Sequence, residues 1–516
     1  MRLLAGLCLL LVVSTAFAQP RRRPAERPDA LSDTVVVTAS RAAESARRAG
    51  QRVTVITAEQ IARTPAASLD ELLRTAAGMD VLSRGGFGVQ SDLTIRGSIF
   101  GGVLLLIDGV RFNDPMTGHF LTDFPVPLAE IARVEVLRGP ATALYGPDAL
   151  GGVVHVITKT AVGRAGLEAG ITRGSHDYRG SSLVLSSGGF GVGAEDARTN
   201  GEAVPVPSGV TPTGVVTGYD YDAETDLRYN FNRRNITGAL RTQVRGIDAF
   251  VRYGYDDRGF SAVRFYSLFA SDSAREVTTT HWLQASAAQM RGRSGWDVRL
   301  GLRRHDDAYR FRPRAAPNEH ESGQGVLSAN VRHGLTPAVT LDAGALLIGR
   351  YVDSNNLGEH RDVSGGVFVQ ARYARGPLAA AVAARVDHDA GYGTEVTPQL
   401  RVAYAAPRWG LHAGAGRAVR APSYAERYFN ATLARPRGRD YGDPTLRAER
   451  AWSVEAGADL RATPGLSLRA TGFRRDTDGL IDFILLPADT VFRARNLLTV
   501  AVQGVEVEAD ALTGPV

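Results

Sequence analysis

The chain has 516 residues, 57 of them glycine, with 60 Lys plus Arg against 54 Asp plus Glu and a net charge of +6. Glycine above the usual roughly 7% favours turns and bulged strands over long helices. Lys159 is the single lysine, so the arginine excess is a chain-wide bias. Outside Arg21-Arg22-Arg23 the arginines are interspersed with other residues, which argues against a nucleic-acid face.

The N-terminus has the layout of an export signal. Arg2 supplies the positive start, 3–13 is apolar, and Ala16-Phe17-Ala18 is a small-x-small cleavage site, predicting a signal peptide over 1–18. Cys8, the only cysteine, lies inside it, so the mature chain has no disulfide and no Cys-based metal site. A lipid anchor on Cys8 would want a small residue where Leu7 stands. No other stretch reaches the roughly 18–20 apolar residues of a membrane helix. The exported chain is therefore either soluble or a transmembrane β-barrel.

Residues 50–160 pattern as a mixed α/β globule. Val53-Thr54-Val55-Ile56 is a short strand. Thr57 with Gln60, and Ser68 with Glu71, have capping-box spacing, and Gly78 is placed to end the second helix in the left-handed conformation. Strands are expected at 93–96, 103–107, 133–137 and 153–158, joined by glycine-rich loops. The run 103–107 is apolar throughout, hence buried on both faces.

From about residue 165 the period becomes two. Val251 and Tyr253 oppose Arg252; Val298, Leu300 and Leu302 oppose Asp297, Arg299 and Arg303. Trp452, Val454 and Leu460 oppose Ser453, Glu455 and Asp459 before a turn at Thr463-Pro464-Gly465. Segments of roughly ten residues, tight turns at one end and long polar connections at the other, match an outer-membrane barrel. A soluble sandwich or propeller also alternates, but charges sit on nearly every polar face and no blade-length repeat appears. Residues 161–516 have room for about 16–20 such strands. The end, from Ala511 to Val516, is turn-forming, so an incomplete barrel is expected, because a barrel must close to remove its edges.

Two segments resemble the TonB-dependent outer-membrane receptors. Asp33-Thr34-Val35-Val36-Val37-Thr38-Ala39-Ser40 resembles the TonB box, and an extended β-branched run of this kind can add as a strand to another sheet. The second segment is four motifs in order: 92–97, 103–111, 131–140 and 145–158, similar to the family's plug domain. Arg420-Ala421-Pro422-Ser423 with Glu426, Asp443-Pro444 with Leu446, and Asn496 with Gly504 and Glu506 resemble its late-barrel landmarks.

The resemblance implies an antiparallel outer-membrane β-barrel, 22-stranded in the family, plugged by an N-terminal α/β plug domain. By that standard this chain lacks C-terminal strands. The expected organisation is a signal peptide (1–18), a flexible N-terminus (19–49) with the TonB box at 33–40, a plug (50–160) and a barrel (161–516). The implied function is active transport without catalysis, by a monomer in outer-membrane lipid, driven by TonB of the TonB–ExbB–ExbD complex. The resemblance is greatest to the vitamin B12 (cobalamin) receptor branch, with a ferric-siderophore receptor as the alternative. A passive porin or barrel enzyme is the rival from another class, but no catalytic constellation is legible.

Site residues implied by the resemblance fall in two plug loops: Gly85, Gly86, Phe87, Gly88 and Gln90, then Asn113, Asp114 and Met116. Glycines let backbone approach a bulky ligand and Phe87 could pack on it; the alternative is that these are ordinary turns. Arg41 matches a position that latches the box to a barrel carboxylate. Asp220, Asp222, Glu224 and Asp226 offer oxygen ligands suited to Ca²⁺, the plain alternative being a solvated acidic loop. No other cofactor is expected, and His119, His155 and His176 are expected to be structural or solvent-facing.

Overall fold

The computed structural model describes residues 36–37, 44–121, 123–223, 225–267, 269–430, 441–463, 465–487, 492–497 and 499–511. The signal segment and Arg41 lie outside them.

The plug is built on a five-stranded sheet in the order Val53–Thr57, Ile131–Arg138, Gly152–Thr158, Val103–Ile107, Val110–Arg111. Only Val103–Ile107 and Gly152–Thr158 run parallel. Leu105 and Ile107 pack with Leu69, Leu72 and Leu73 in one apolar cluster. Leu104 and Leu106 pack with Leu144 and Tyr145 in another. Both faces of that strand are buried, as its unbroken apolar run requires.

The helix Ala58–Arg63 starts with the expected capping box between Thr57 and Gln60. The second helix, Leu69–Leu73, does not use the expected one. Ser68 gives its hydroxyl to Asp70, and Glu71 reaches back to the N–H groups of Ala67 (2.8 Å) and Phe87 (3.3 Å). Nor does Gly78 end this helix, which stops at Leu73 with Arg74 still right-handed. Gly78 (φ +74°) instead turns the chain into the strand Met79–Ser83, where a Cβ would collide with Glu506. Ser68 is drawn to the Asp70 carboxylate, which Ser83 and Ser91 also hold, and Gly78 is placed against Glu506 of the barrel wall.

The barrel sheet has sixteen strands, from Gly166–Arg173 to Thr499–Ala511, each antiparallel to its neighbours. The pairing runs linearly between those two strands among the described residues. Strands are longer than the roughly ten residues expected, reaching 18 in Gly358–Arg375. At about 3.4 Å per residue they project well past a roughly 25 Å apolar band. One end carries tight hairpins, such as 245–246 and 292–293; the other carries long connections, such as 262–274 and 421–448.

The sheet is inverted relative to a soluble protein. Arg252, Arg258, Arg303, Arg385 and Gln284 are buried in the lumen, while Leu300, Leu302, Val367, Val369 and Trp452 are exposed on the outer face. An exposed apolar belt around a charged interior is stable only against lipid, which excludes the soluble-sheet alternative.

Candidate functional site

The plug is held in the lumen by two sets of buried ion pairs of opposite sense. Toward the late strands the plug supplies cations. Arg96 bonds Glu455 (2.5 Å) and Glu506 (2.9 Å), Arg138 bonds Glu506 and Glu508 (2.8 Å each), and Arg52 pairs with Glu508 and Asp459. Toward the early strands it supplies carboxylates: Glu130 to Arg252 (2.6 Å), Asp123 to Arg258 (3.2 Å) and Asp114 to Arg303. Burial keeps the Glu130 carboxyl above its ordinary range even with Arg252 beside it. Burial also favours the neutral imidazole of His155, outweighing Glu135 and Asp108.

The N-terminal segment leaves the plug at the tight-turn end. Arg47 donates to the carbonyls of Ala406 (2.6 Å) and Trp409 (3.0 Å), and Arg401 to that of Ala49 (3.0 Å). Of the expected TonB box only Val36 and Val37 lie among the described residues, paired antiparallel with Glu44–Ser45. Asp33, Thr34, Val35, Thr38, Ala39 and Ser40 lie outside.

At the opposite end a cavity of about 1050 Å³ opens between the plug, the strand ends and the long connections. This exceeds the roughly 300–1,000 Å³ of most small-molecule sites. Plug residues Asp92, Phe100 and His119 form part of its wall: His119 Nδ1 is 2.5 Å from Asp92, and its ring stacks on Phe100 at 4.5 Å. Phe429, Tyr441, Phe483 and Phe492 line it from the late connections. Eight carboxylates and four guanidiniums line the cavity. Each guanidinium already faces a carboxylate: Arg84 on Asp92, Arg111 on Asp148, Arg350 on Asp362 and Asp389, Arg420 on Glu426 and Glu449.

The late-barrel landmarks explain how the cavity is framed. Ser423 and Glu426 form a capping box that starts the helix Tyr424–Tyr428. The N–H groups of Tyr424 and Ala425 then bond the carbonyls of Pro115 (3.1 Å) and Met116 (3.0 Å), clasping the second plug loop. Asn496 ties Arg447 to Gly479 across two connections. Gly504 leaves room for the Phe473 ring, over which Arg96 lies at 4.6 Å.

The two plug loops reach the outer face, but several of their residues hold the plug to the barrel. Gln90, in left-handed backbone (φ +45°), donates to both Glu276 oxygens (2.7 Å each) and accepts from Tyr266. The Gly88 carbonyl accepts from Arg258 (2.8 Å). Asn113 bonds the Leu105 N–H (2.8 Å) and the Val103 carbonyl (2.9 Å), tying its loop to the sheet. Asp114 accepts from Met116 and Thr117 N–H, Ser322 and Arg303. Burial would raise its carboxyl, but Arg303, His305 and those N–H groups together hold it below the ordinary range. Asn113, Asp114 and Met116 line the large cavity, whereas Gly85, Gly86 and Phe87 line a neighbouring one.

Asp220 Oδ1 accepts from the N–H groups of Asp222 and Ala223 in an Asx turn, Asp226 lines a small cavity with His176 and Asp177, and Glu224 lies outside the described residues. Among the described residues no three His, Cys, Asp or Glu converge as a metal site would need. Sequence reasoning did not single out Asp92, Phe100 or the four late aromatics for this cavity, and read His119, which lines it, as structural or solvent-facing. The available signal was aromatics recurring in long polar connections, where burial cannot explain them.

The profile of the TonB-dependent receptor plug domain matches residues 45–153, and that of the TonB-dependent receptor-like β-barrel matches 167–513. The vitamin B12 transporter BtuB of Vibrio vulnificus (strain YJ016) is 25% identical over 508 residues, covering 94% of this chain and 76% of that protein. A mutant of the ferric enterobactin receptor PfeA of Pseudomonas aeruginosa superposes with a TM-score of 0.72 at 19% identity, covering 92% of this chain and 79% of that one. The FrpB iron transporter of Neisseria meningitidis gives 0.69 at 14% identity, covering 91% and 78%. These two structural likenesses speak to the fold. With both profiles matched in order over a plugged barrel, the chain belongs to the TonB-dependent receptors, a family of transporters and receptors and not of enzymes.

Proposed function

We propose that this receptor is an outer-membrane active transporter for a large, uncharged or cationic nutrient, a cobalamin-type corrinoid. The observation that carries this reading is that every guanidinium lining the outer cavity already faces a carboxylate, which leaves none to receive an anionic cargo. A polyanionic ferric chelate would have to strip arginines from buried partners and lie against like charge, both costly. A neutral or cationic ligand meets no such barrier. The similarity to a protein named as a vitamin B12 transporter supports the same choice.

In this reading cargo binds at the wide end, closing contacts with the Asn113–Met116 loop and the Tyr424–Tyr428 helix clasped on it. Residues 33–40 pair with TonB, with Arg41 as the release latch. The Val36–Val37 pairing with Glu44–Ser45 offers a strand edge that TonB would take over.

Labelled cyanocobalamin binding and uptake, with and without residues 33–40, tests the proposal. Binding by both forms with uptake only by the intact form is expected. No binding by folded protein in the outer membrane refutes the corrinoid reading and turns the search to uncharged or cationic ferric siderophores.

A further inference from the structure

Beside the large cavity, at the same end of the barrel, lies a second one of about 480 Å³. Its walls are aromatic: Phe87 from the plug, with Tyr178, Tyr229, Phe231, Phe260 and Phe265 around it. Among the described residues Arg84 and Glu202 are the only formally charged members of its lining, in contrast with the acidic larger cavity. Arg84 lines both cavities, donating to the Phe265 carbonyl (2.9 Å) and lying over the Tyr266 ring at 5.3 Å. The two spaces thus share a wall built around one side chain.

Phe87 adopts φ +62°, in the region that favours glycine, and its ring stacks on Tyr178 at 5.2 Å and on Phe231 at 5.0 Å. An aromatic residue persists in such backbone only where its surroundings over-determine it, and such outliers cluster at binding sites. Gly86, exposed beside it, has open space where a Cβ would stand.

We infer that this chamber is a subsite for a flat, uncharged aromatic ring borne by the cargo whose bulk fills the larger cavity. The ring would extend the stack begun by Phe87 at the 4.5–7 Å spacing aromatic pairs prefer. The near-balanced charge of the lining suits a neutral ring. The inference leans on the corrinoid reading only for one of its two probes.

The first probe is free benzimidazole, followed by saturation-transfer NMR on the full chain and on Gly86→Trp, which adds an indole to the chamber's lining. Saturable binding that Gly86→Trp abolishes is expected whatever the cargo. The second probe compares cyanocobalamin with dicyanocobinamide, a corrinoid without the aromatic base. Wild type should favour the base-bearing form by roughly 5- to 150-fold, the range that ring stacking supports. Gly86→Trp should erase that preference, and unchanged heat-modifiable migration of the barrel on gels reports that the variant is folded. Tyr229→Ala should narrow the preference without filling the space. Benzimidazole binding without any corrinoid binding leaves the subsite standing and removes the corrinoid reading. Absence of benzimidazole binding sensitive to Gly86→Trp overturns the subsite, whatever the corrinoids do.

Discussion

Glu506→Gln tests how the plug is held. Glu506 accepts from Arg96 through Nε and Nη2 (2.9 Å each) and from Arg138 Nη1 (2.8 Å). Arg138 is fully buried and Arg96 is 4% exposed. The glutamine keeps the shape and one acceptor, but turns an amide N–H toward guanidinium and removes the charge. Breaking a buried pair from one side costs about 3–5 kcal/mol. Arg96 retains Glu455 and Arg138 retains Glu508, so the lower end, about 3 kcal/mol, is expected. With a urea m-value of about 1.5 kcal/mol/M, the midpoint for plug release should fall by about 2 M. In a Cys8→Ser background, which removes the one native cysteine, a buried thiol from Ala143→Cys reports release by labelling. Asp476→Asn, at an exposed pair with Arg474, serves as a control that should not shift the midpoint. A Glu506→Gln midpoint equal to wild type would refute the view that this pairing anchors the plug.

Three further outcomes follow from the same contacts. Val36→Pro removes a backbone N–H and stiffens the box, so cargo binding should persist while uptake is lost, as measured with labelled cargo. The neutral form of His155 is favoured by folding, so the unfolded chain binds more protons below its ordinary pKa near 6.5. Plug stability should therefore be full above that value and fall by at most about 1.4 kcal/mol per unit as pH drops below it, with His155→Gln flattening the curve in pH-dependent urea melts. Gln90→Leu loses three hydrogen bonds to Glu276 and Tyr266, so the backbone amides at positions 89 and 90 should exchange roughly 30-fold faster, a local loss of about 2 kcal/mol. Unchanged exchange would show that Gln90 does not hold the loop.

What the sequence determined by itself was set by short spacing, wherever no competing side-chain partner intervened. Alternation at i, i+2 assigns faces, so Val251 and Arg252 lie on opposite sides of the sheet. The unbroken apolar run 103–107 could only be a strand buried on both faces, and the Thr57–Gln60 box needs nothing beyond its own turn. The order of the four plug motifs and the landmark residues carried the family. Tertiary structure alone decided what meets across the barrel. Arg96 finds Glu506, Gln90 finds Glu276 and Asp114 finds Arg303, pairings set by strand register and by how the plug sits in the lumen. Ser68 gives its hydroxyl to Asp70 in place of the expected cap, and Gly78 turns the chain beside Glu506 instead of ending the helix. Gln90, Gly88 and Asn113, legible as loop residues, became anchors because their partners lie on elements that no local pattern links to them. The cavity's charge belongs to no segment: it arises where plug loops and late connections converge, and the fold alone sets that convergence.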